Sequence, residues 1–209
     1  MKKSFVNIKW LLYLAFIVSS ALLIFIFYPS STDLKVREVQ DGDTIILTNG
    51  EKIRYIGMDT PERAEPFYSE ATKENKEMLK GEKITLEYDL ERKDDYGRTL
   101  AYVWADSLMI NAELIKKGLA WVYLFSPNLK YRDQFIYLQK QAREKKIGIW
   151  SVPSSPEKYY VATRHSQRFV FHRPDCDSAQ KIKAENLIRF ETREEALDRG
   201  YSPCRACKP

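Results

Sequence analysis

The chain has 209 residues, a length that suggests one or two domains. Its 34 lysines and arginines exceed its 29 acids by five, and so small a surplus permits an anionic partner, nucleic acid or lipid headgroups, without demonstrating one. Three cysteines cannot all pair within one chain, which excludes a complete set of internal disulfides.

An uncharged, mostly apolar run, Trp10–Tyr28, lies near the N-terminus. As a helix, its nineteen residues would rise about 1.5 Å each, roughly 28 Å in all, which is close to the ~30 Å hydrocarbon core of a bilayer. Lys2, Lys3 and Lys9 precede the run, and no acid occurs before Asp33. The positive-inside rule then predicts one transmembrane helix, with its N-terminus in the cytoplasm and the rest of the chain exported.

The alternative for this run is a cleaved signal peptide, which would make the protein secreted. Signal peptides have apolar cores of about 7–15 residues and end in a small-residue cleavage site. This run is longer and ends in Phe-Tyr-Pro, with no Ala-x-Ala pattern near its end. We therefore predict an uncleaved anchor in the cell membrane, with residues 1–32 forming a cytoplasmic tip, the membrane helix and a short linker.

Residues 33–152 have the pattern of a small barrel domain. Short runs rich in β-branched residues are separated by turn residues, which predicts strands, and apolar residues at helical spacing predict helices between and after them. Five strands with interspersed helices fit an OB-fold barrel, so we predict a mainly β domain with α-helices. The predicted strands are Leu34–Gln40, Thr44–Thr48, Glu51–Ile56, Lys83–Asp89 and Thr99–Ala105, and the predicted helices are Ser69–Lys80, Asn111–Lys117 and Asn128–Lys146.

Four acids and one arginine are crowded into two strand ends of this domain. Like charges a few ångströms apart disfavour each other's ionised forms, and a bound hard cation such as calcium, which takes oxygen ligands, resolves that conflict. Thr60 precedes Pro61, which favours an extended conformation and leaves its carbonyl free for a metal. An Asp-Gly-Asp turn alone is an ordinary feature, but a second acidic cluster follows it. The charged residues are Asp41, Asp43, Asp59, Glu62 and Arg54.

Arg54 supplies the positive charge that a phosphate needs beside these acids, which suggests metal-assisted attack on a phosphodiester. In a strictly alternating strand, Arg54 and Asp59 would lie on opposite faces, because their separation is odd. For both to serve one site the strand must bend between them, and we predict that the bend is at Gly57.

A second pattern contains every cysteine of the chain. His172-x-x-x-Cys176 and Cys204-x-x-Cys207 together make a Cys₃His set, which is an established tetrahedral zinc site. A small domain has too little core to be stable without such a cross-link. The alternative is a disulfide between Cys204 and Cys207 in an exported protein, which leaves the other two residues unexplained.

We predict a linker over residues 153–164 and a small α+β module with structural zinc over residues 165–209. Thr192 and Glu195 make a capping box for a helix that Gly200 ends. The basic side chains of this region either clamp nucleic acid or form a solvated face. They are Arg164, Arg168, Arg173, Lys181, Lys183, Arg189 and Arg205.

The motifs of residues 34–150 together resemble a known family. Asp-Gly-Asp-Thr from Asp41, Arg-x-x-x-x-Asp-Thr-Pro-Glu from Arg54, and Tyr-Gly-Arg from Tyr96 followed by Leu-Ala-Tyr have the order and spacing of the thermonuclease (staphylococcal nuclease) family. The C-terminal module resembles the small metal-binding module of the Ada DNA-repair protein, with His172 at the first ligand position in place of a cysteine. From that second resemblance we carry over only the metal site.

The resemblance to thermonucleases implies a calcium site. Asp43 and Asp59 would bind the ion through their carboxylates and Thr60 through its carbonyl. Asp41 would lie behind them and support their orientation. Glu62 would orient or deprotonate the attacking water.

The same resemblance implies how the substrate is held. Arg54 and Arg98 would hold the negative charge of the transition state, because the fixed fork of arginine donors matches phosphate oxygens. Tyr96 and Tyr123 would contact the nucleotide by hydroxyl or by stacking. Asp95 stands where the staphylococcal enzyme has a lysine, and the loop after the catalytic glutamate is shorter here, so affinity and end preference are expected to differ.

Taken together, these features predict a monomeric, membrane-anchored, calcium-dependent nuclease that acts on DNA and RNA outside the cell and uses no organic cofactor. The alternative is a non-catalytic nucleic-acid-binding or uptake protein on the same fold. A protein that only binds has no need for the acids and both arginines together, so the sequence favours the enzyme.

Overall fold

Short strands alternate with helices in the first part of the chain. The computed structural model describes residues 34–154 and 156–209. The strands are β1 Val36–Val39, β2 Thr44–Leu47, β3 Lys52–Tyr55, β4 Met58–Asp59, β5 Ile84–Glu87, β6 Thr99–Ala105, β7 Leu108–Met109 and β8 Trp121–Val122. The helices are α1 Tyr68–Leu79, α2 Ile110–Lys116 and α3 Arg132–Glu144.

Six of these strands form one curled sheet, in which five follow the order β1-β2-β3-β6-β5 and β7 pairs with β6. Neighbouring strands run antiparallel except β3 and β6, which are parallel. An isolated antiparallel bridge between Leu34 and Ile84 joins the start of the described chain to β5, so the sheet curls towards closure. β7 runs antiparallel to the end of β6, and β4 pairs with β8 in a separate two-stranded ladder. This β architecture with helices is consistent with the predicted OB fold.

The inner face of the sheet and the helices share one apolar core. Ile45, Ile53 and Val103 on three neighbouring strands are fully buried, and Phe135 of α3 packs against the same cluster. Burying a side chain of this size stabilises the fold by about 1.5–3 kcal/mol relative to leaving it exposed. This packing therefore fixes the strand ends from which the charged residues extend.

Two asparagines do not have the positions that the sequence predicts for them. Asn111, expected at the start of a helix, lies inside α2, where its side chain accepts from the Val103 backbone N–H at 2.9 Å and donates to the Ile56 carbonyl at 3.0 Å. Asn128, expected to begin a helix, instead exchanges two hydrogen bonds of 2.8 Å with the backbone of Glu91. Both side chains satisfy buried backbone groups of distant segments, which capping rules do not consider.

A second, smaller sheet forms the C-terminal module. Its strands are β9 Tyr160–Thr163, β10 Val170–His172, β11 Leu187–Phe190 and β12 Ser202–Pro203, in the order β11-β9-β10-β12, and its helices are α4 Asp177–Gln180 and α5 Arg193–Asp198. β9 lies in the segment predicted as a linker, so the sheet of the module begins at Tyr160. Thr192 caps α5 as predicted, because its hydroxyl oxygen accepts from the Glu195 backbone N–H at 3.0 Å.

The module packs directly on the barrel through buried polar and apolar contacts. The Ser202 hydroxyl donates to the Val122 carbonyl at 2.6 Å, and the Phe169 backbone N–H donates to the Leu124 carbonyl at 3.2 Å. The Phe169 ring contacts the apolar clusters of both parts. Leu34–Pro209 accordingly forms a single compact unit.

The membrane helix predicted at Trp10–Tyr28, with the tip and linker predicted beside it in residues 1–32, lies outside the described residues. Within residues 34–154 and 156–209, every helix is too short or too polar to cross a bilayer.

Candidate active site

The Asp-Gly-Asp bend after β1 is held against the segment that follows β4. A Cβ atom at Gly42 would lie 2.7 Å from Thr60 Cγ2, so only glycine allows this approach. Asn75 of α1 donates from Nδ2 to the Asp41 carbonyl at 3.0 Å, while its Oδ1 accepts from a buried tyrosine hydroxyl. The bend is thereby fixed from both sides, with the Asp43 side chain directed at Thr60.

The bend predicted between Arg54 and Asp59 is confirmed. Gly57 has φ 77°, and a Cβ atom there would lie 2.7 Å from Phe135 Cε2. The chain leaves β3 at this glycine and starts β4 in a new direction. Arg54 can therefore donate from Nη2 to Asp59 Oδ1 at 2.7 Å and from Nη1 to the Met58 carbonyl at 2.9 Å.

Asp43 is buried among hydrogen-bond donors. Its Oδ2 accepts from the Thr60 backbone N–H at 2.9 Å and from the Thr60 hydroxyl at 3.0 Å, and its Oδ1 accepts from the Thr44 hydroxyl at 3.0 Å. Arg54 Nε lies 3.3 Å from Oδ1. Burial raises the pKa of Asp43, but Arg54 and the hydrogen bonds outweigh it, so the net pKa lies below its usual value. Asp43 is thus a carboxylate at neutral pH.

The two neighbouring aspartates are less well compensated. Burial, together with the charge of Asp43, raises the pKa of Asp41. Burial also raises the pKa of Asp59 to about 6, although the charges of Arg54 and Arg205 oppose the shift. The cluster therefore holds more negative charge than Arg54 alone can neutralise, which is the electrostatic condition for binding a further cation.

Arg205 of the C-terminal module supplies such a cation. Its Nε donates to Asp59 Oδ2 at 2.8 Å, its Nη2 donates to the Thr60 carbonyl at 3.3 Å, and its Nη1 pairs closely with Glu62 Oε1. A neighbouring contact repeats the pattern, because Lys208 Nζ lies 3.0 Å from Glu65 Oε1. Two basic residues of the module thus meet the acidic segment of the barrel.

The donor set of the cluster suits a hard divalent cation. It consists of carboxylate oxygens and one main-chain carbonyl, which are the ligands that calcium prefers. A cation can reach Asp59, the Thr60 carbonyl and Glu62, because the Arg205 guanidinium contacts all three. A metal at Asp43 would compete with the hydroxyls of Thr44 and Thr60 for its oxygens. The residues predicted as calcium ligands therefore fit the ion in the chemistry of their donor atoms.

Arg98 lies in the loop between β5 and β6 and lines the same cleft. Asp94 positions it: Asp94 Oδ2 accepts from Arg98 Nε at 2.6 Å, and Asp94 Oδ1 accepts from the Arg98 backbone N–H at 2.9 Å. The guanidinium also lies 5.5 Å from the centre of the Tyr96 ring, which is 85 % exposed. The structure therefore places Arg98 and Tyr96 together on the cleft, with Arg98 ion-paired to Asp94.

The cleft itself is about 1140 Å³ and is lined by both parts of the chain. Barrel residues Asp43, Tyr123 and Arg98 contribute to its wall, and so do Arg168 and Arg205 of the module. Tyr123 is half-buried, and its backbone N–H donates to the Gly57 carbonyl at 3.0 Å, which keeps its ring next to the bend. A cleft of this size accommodates nucleotide units beside the acidic cluster.

The four predicted zinc ligands come together in the module. One ligand atom from each of His172, Cys176, Cys204 and Cys207 lies within 4.8 Å of all the others, and Cys176 Sγ is 3.5 Å from His172 Nδ1. All three cysteines are free, so the structure does not contain the alternative disulfide. Burial lowers the pKa of His172, which favours the neutral imidazole that a metal requires. Four soft ligands at this spacing fit a tetrahedral ion.

Sequence reasoning missed two residues of this site. Asp94 is assigned no role by the sequence patterns, although its position four residues before Arg98 allows an ion pair. Arg205 was grouped with the other basic residues of the module. Its place between Cys204 and Cys207, in a loop that a metal would make rigid, is the signal that distinguishes it.

Comparison with known proteins agrees with this geometry. The family model described as "Staphylococcal nuclease homologue" matches residues 52–152, and the model described as "Metal binding domain of Ada" matches residues 145–209.

Individual relatives match the barrel part at substantial identity. The chain is 43% identical over 138 residues to a protein named "Thermonuclease" from Staphylococcus intermedius, which covers 59% of this chain and 82% of the relative. It is 45% identical over 126 residues to a "Thermonuclease" from Staphylococcus hyicus, covering 56% of this chain and 75% of the relative. It is also 43% identical over 122 residues to "Endonuclease YncB" from Bacillus subtilis (strain 168), covering 53% and 58% respectively.

Proposed function

The chain belongs to the staphylococcal nuclease (thermonuclease) family, and from that premise we propose that it is a calcium-dependent phosphodiesterase that hydrolyses DNA and RNA with little sequence preference. The observation that carries this proposal is that Asp43 and Asp59 both pair with Arg54 on the wall of the cleft, with the Thr60 backbone N–H bonded to Asp43. A protein that only binds nucleic acid has no use for an acidic cluster that holds more negative charge than Arg54 can neutralise. The non-catalytic alternative is therefore the weaker one.

Calcium would be held by Asp43, Asp59 and the Thr60 carbonyl, with Asp41 supporting the bend. When bound, such an ion supplies Lewis-acid polarisation of a phosphoryl oxygen. The hydrogen bond from the Asn75 side chain to the Asp41 carbonyl fixes the bend that carries these acids, so the bend does not depend on the ion.

Side chains of the protein carry out the remaining steps of the reaction. Glu62, whose side chain is 65 % exposed, accepts the proton of the attacking water. As the water oxygen bonds to phosphorus, the P–O bond to the leaving nucleotide breaks, and the leaving alkoxide takes a proton from solvent. The guanidinium groups of Arg54 and Arg98 bind the equatorial oxygens as negative charge develops there. Tyr96 and Tyr123 stack on or hydrogen-bond to the nucleotide, and stacking of this kind tolerates any base because every base has a π-face.

Structural zinc is proposed for the module, held by His172, Cys176, Cys204 and Cys207. Asp59 and Thr60 contact the loop between the last two of these ligands through Arg205. Bound zinc would therefore fix one wall of the cleft as well as the fold of the module.

We further propose that the enzyme is a monomer anchored in the cell membrane by Trp10–Tyr28, with its catalytic part outside. Extracellular calcium sites often have dissociation constants of about 10⁻⁴–10⁻³ M. A site this weak stays empty at the low calcium concentration of the cytosol. A nuclease of this kind would be active only where it cannot damage the nucleic acid of its own cell. Digestion of the C-terminal part by protease added to intact cells supports this topology, and full protection contradicts it.

The function is tested by cleavage of end-labelled single- and double-stranded DNA and of RNA by the full-length protein in mild detergent. We expect cleavage with calcium, none with a calcium chelator, and a large loss in Asp43→Asn. Asp106→Asn is the matched control, since Asp106 is exposed outside the cleft at φ 50°, a conformation that asparagine tolerates. Undiminished cleavage after chelation would defeat the calcium assignment, and binding without cleavage under all conditions would favour the non-catalytic alternative.

A further inference from the structure

Arg205 contacts the oxygen atoms that the proposed function assigns to the cation and to the base. Its three nitrogen atoms engage the Asp59 carboxylate, the Thr60 carbonyl and the Glu62 carboxylate. The first two are proposed calcium ligands, and the third is the proposed proton acceptor. A guanidinium in this position satisfies the acidic cluster as a divalent ion would.

Calcium and this guanidinium compete for the same oxygens, because each is a positive charge that the cluster can hold there. Calcium binds oxygen at about 2.3–2.6 Å, and Arg205 Nε already lies 2.8 Å from Asp59 Oδ2. Two positive charges would then lie within a few ångströms of each other and repel. Entry of the ion at Asp59 and Thr60 therefore requires Arg205 to withdraw, and its withdrawal also releases Glu62.

The module holds Arg205 in this position by several independent contacts. Arg205 lies in the Cys204–Cys207 loop, whose ends carry two of the four clustered ligand atoms. Three residues before it, the buried Ser202 hydroxyl fixes β12 to the Val122 carbonyl of the barrel. On the other side, Lys208 pairs with Glu65. Arg205 is consequently delivered to the site by a rigid loop instead of a free tail.

A simple nucleic-acid clamp does not account for these contacts. A clamp presents cations to phosphate, whereas Arg205 and Lys208 are already paired with carboxylates of the barrel. Both line the cleft, and their charge is directed at its acids. The geometry thus indicates competition for the acidic oxygens.

We propose that Arg205 is a built-in competitor of the catalytic cation, which occupies the Asp59, Thr60 and Glu62 oxygens in the calcium-free enzyme and must be displaced when calcium binds. This inference rests on the calcium site of the proposed function. It makes the C-terminal module a device that sets the calcium concentration at which the nuclease becomes active. Loss of the module's metal would release Arg205 and lower that concentration.

Calcium titration by calorimetry, without substrate, tests the proposal on the full-length protein in mild detergent. Arg205→Ala is expected to bind calcium about tenfold more tightly than the wild type, within the range of roughly 5–150-fold that is typical of coupled sites. Arg189→Ala is the matched control, because Arg189 is an exposed arginine of the same module that pairs with Glu191. Zinc content is measured on each variant so that the comparison is made between intact modules.

The outcomes separate this inference from the proposed function. Equal calcium affinity in wild type and Arg205→Ala, or weaker affinity in the variant, overturns the inference alone. Absence of calcium binding to either protein overturns both. If Arg205→Ala does not fold, the Arg205 side-chain Nε–H signal of the wild type is followed by NMR during the titration, where a calcium-dependent shift supports displacement and an unchanged signal at saturation excludes it.

Discussion

Arg205 Nε donates to Asp59 Oδ2 at 2.8 Å, although 146 positions separate the two residues in the chain. This contact joins the loop between Cys204 and Cys207 to the acidic cluster of the barrel. The nuclease site of this chain is therefore built by two modules, and changes in either are expected to alter it.

Arg98 is expected to stabilise the transition state, with Asp94 holding it in position. Arg98→Ala should lower kcat by about 10²–10³, the usual effect of losing one preorganised donor. Asp94→Asn weakens the 2.6 Å pair to Nε and should lower kcat by a smaller factor. Because both act through one guanidinium, the double variant should be no slower than Arg98→Ala. Steady-state kinetics on labelled DNA measures all three.

The control for this series is Arg92→Ala, because Arg92 stacks over Tyr88 and does not line the cleft. It should retain nearly normal turnover. A wild-type kcat in Arg98→Ala would show that this arginine has no part in the chemistry.

Gly57 is expected to be essential to the site because it makes the bend. Gly57→Ala places a Cβ at φ 77° and 2.7 Å from the Phe135 ring, so we expect unfolding free energy to fall by about 1–3 kcal/mol from overpacking, in addition to backbone strain. Gly50→Ala is a matched control with φ 88° and no atom within 4 Å, so it reports the strain alone, about 1–2 kcal/mol. Urea denaturation gives both values. Equal losses in the two variants would mean that the contact with Phe135 is unimportant.

Protonation of Glu87 is expected to lower the unfolding free energy of the barrel in acid. Its carboxylate accepts from the Trp104 Nε1–H and the Tyr131 hydroxyl, both at 2.9 Å, and pairs with Lys130. Burial raises the pKa of Glu87, but Lys130 and these hydrogen bonds outweigh it, so the net pKa is below its ordinary value of 4.5. A carboxyl group whose pKa is lowered by folding stabilises the protein at any pH above its unfolded-state pKa. That stability is lost as the pH falls through its folded-state pKa.

The difference in unfolding free energy between wild type and Glu87→Gln should therefore be constant near neutral pH and shrink as the pH falls below 4.5. Chemical denaturation at a series of pH values measures it. Glu82→Gln, at an exposed position just before β5, is the control. A Glu87→Gln difference that stays the same in acid would contradict this account.

The Cys₃His ligand set of the module is expected to bind one zinc ion per chain. Cys204→Ser should lose that ion, because serine does not offer a thiolate to complete the tetrahedral set. His165→Gln is the control, since His165 is exposed and outside the cluster. Metal analysis of the purified proteins gives the stoichiometry. A Cys204–Cys207 disulfide in the native protein would reject the zinc site.

Local patterns were sufficient to predict much of this structure. Strand β2, helix α1 and the Thr192 cap follow from β-branched runs, apolar spacing and capping chemistry, which act over a few residues. The bend at Gly57 followed from the requirement that Arg54 and Asp59 share one site. The four ligands of the module were recognisable because their spacing is itself the chemical requirement.

Contacts between distant segments were not predictable in this way. Asn111 and Asn128 bind backbone groups of remote loops, and no spacing rule specifies such partners. Arg205 reaches Asp59 only because β12 docks on β8 through Ser202, a packing result that depends on two complete folds. The side chain that most changes the picture of the site is therefore the one that sequence reasoning had no means of placing.

The most direct test of the whole account is a crystal structure of the full-length protein grown with saturating calcium, with the ion located by anomalous scattering. We predict an ion about 2.3–2.6 Å from oxygens of Asp43, Asp59 and the Thr60 carbonyl, with the Arg205 guanidinium withdrawn from Asp59. A structure at saturating calcium in which Arg205 still contacts Asp59 and Thr60, and no ion lies at these oxygens, would contradict both the metal site and its internal competitor.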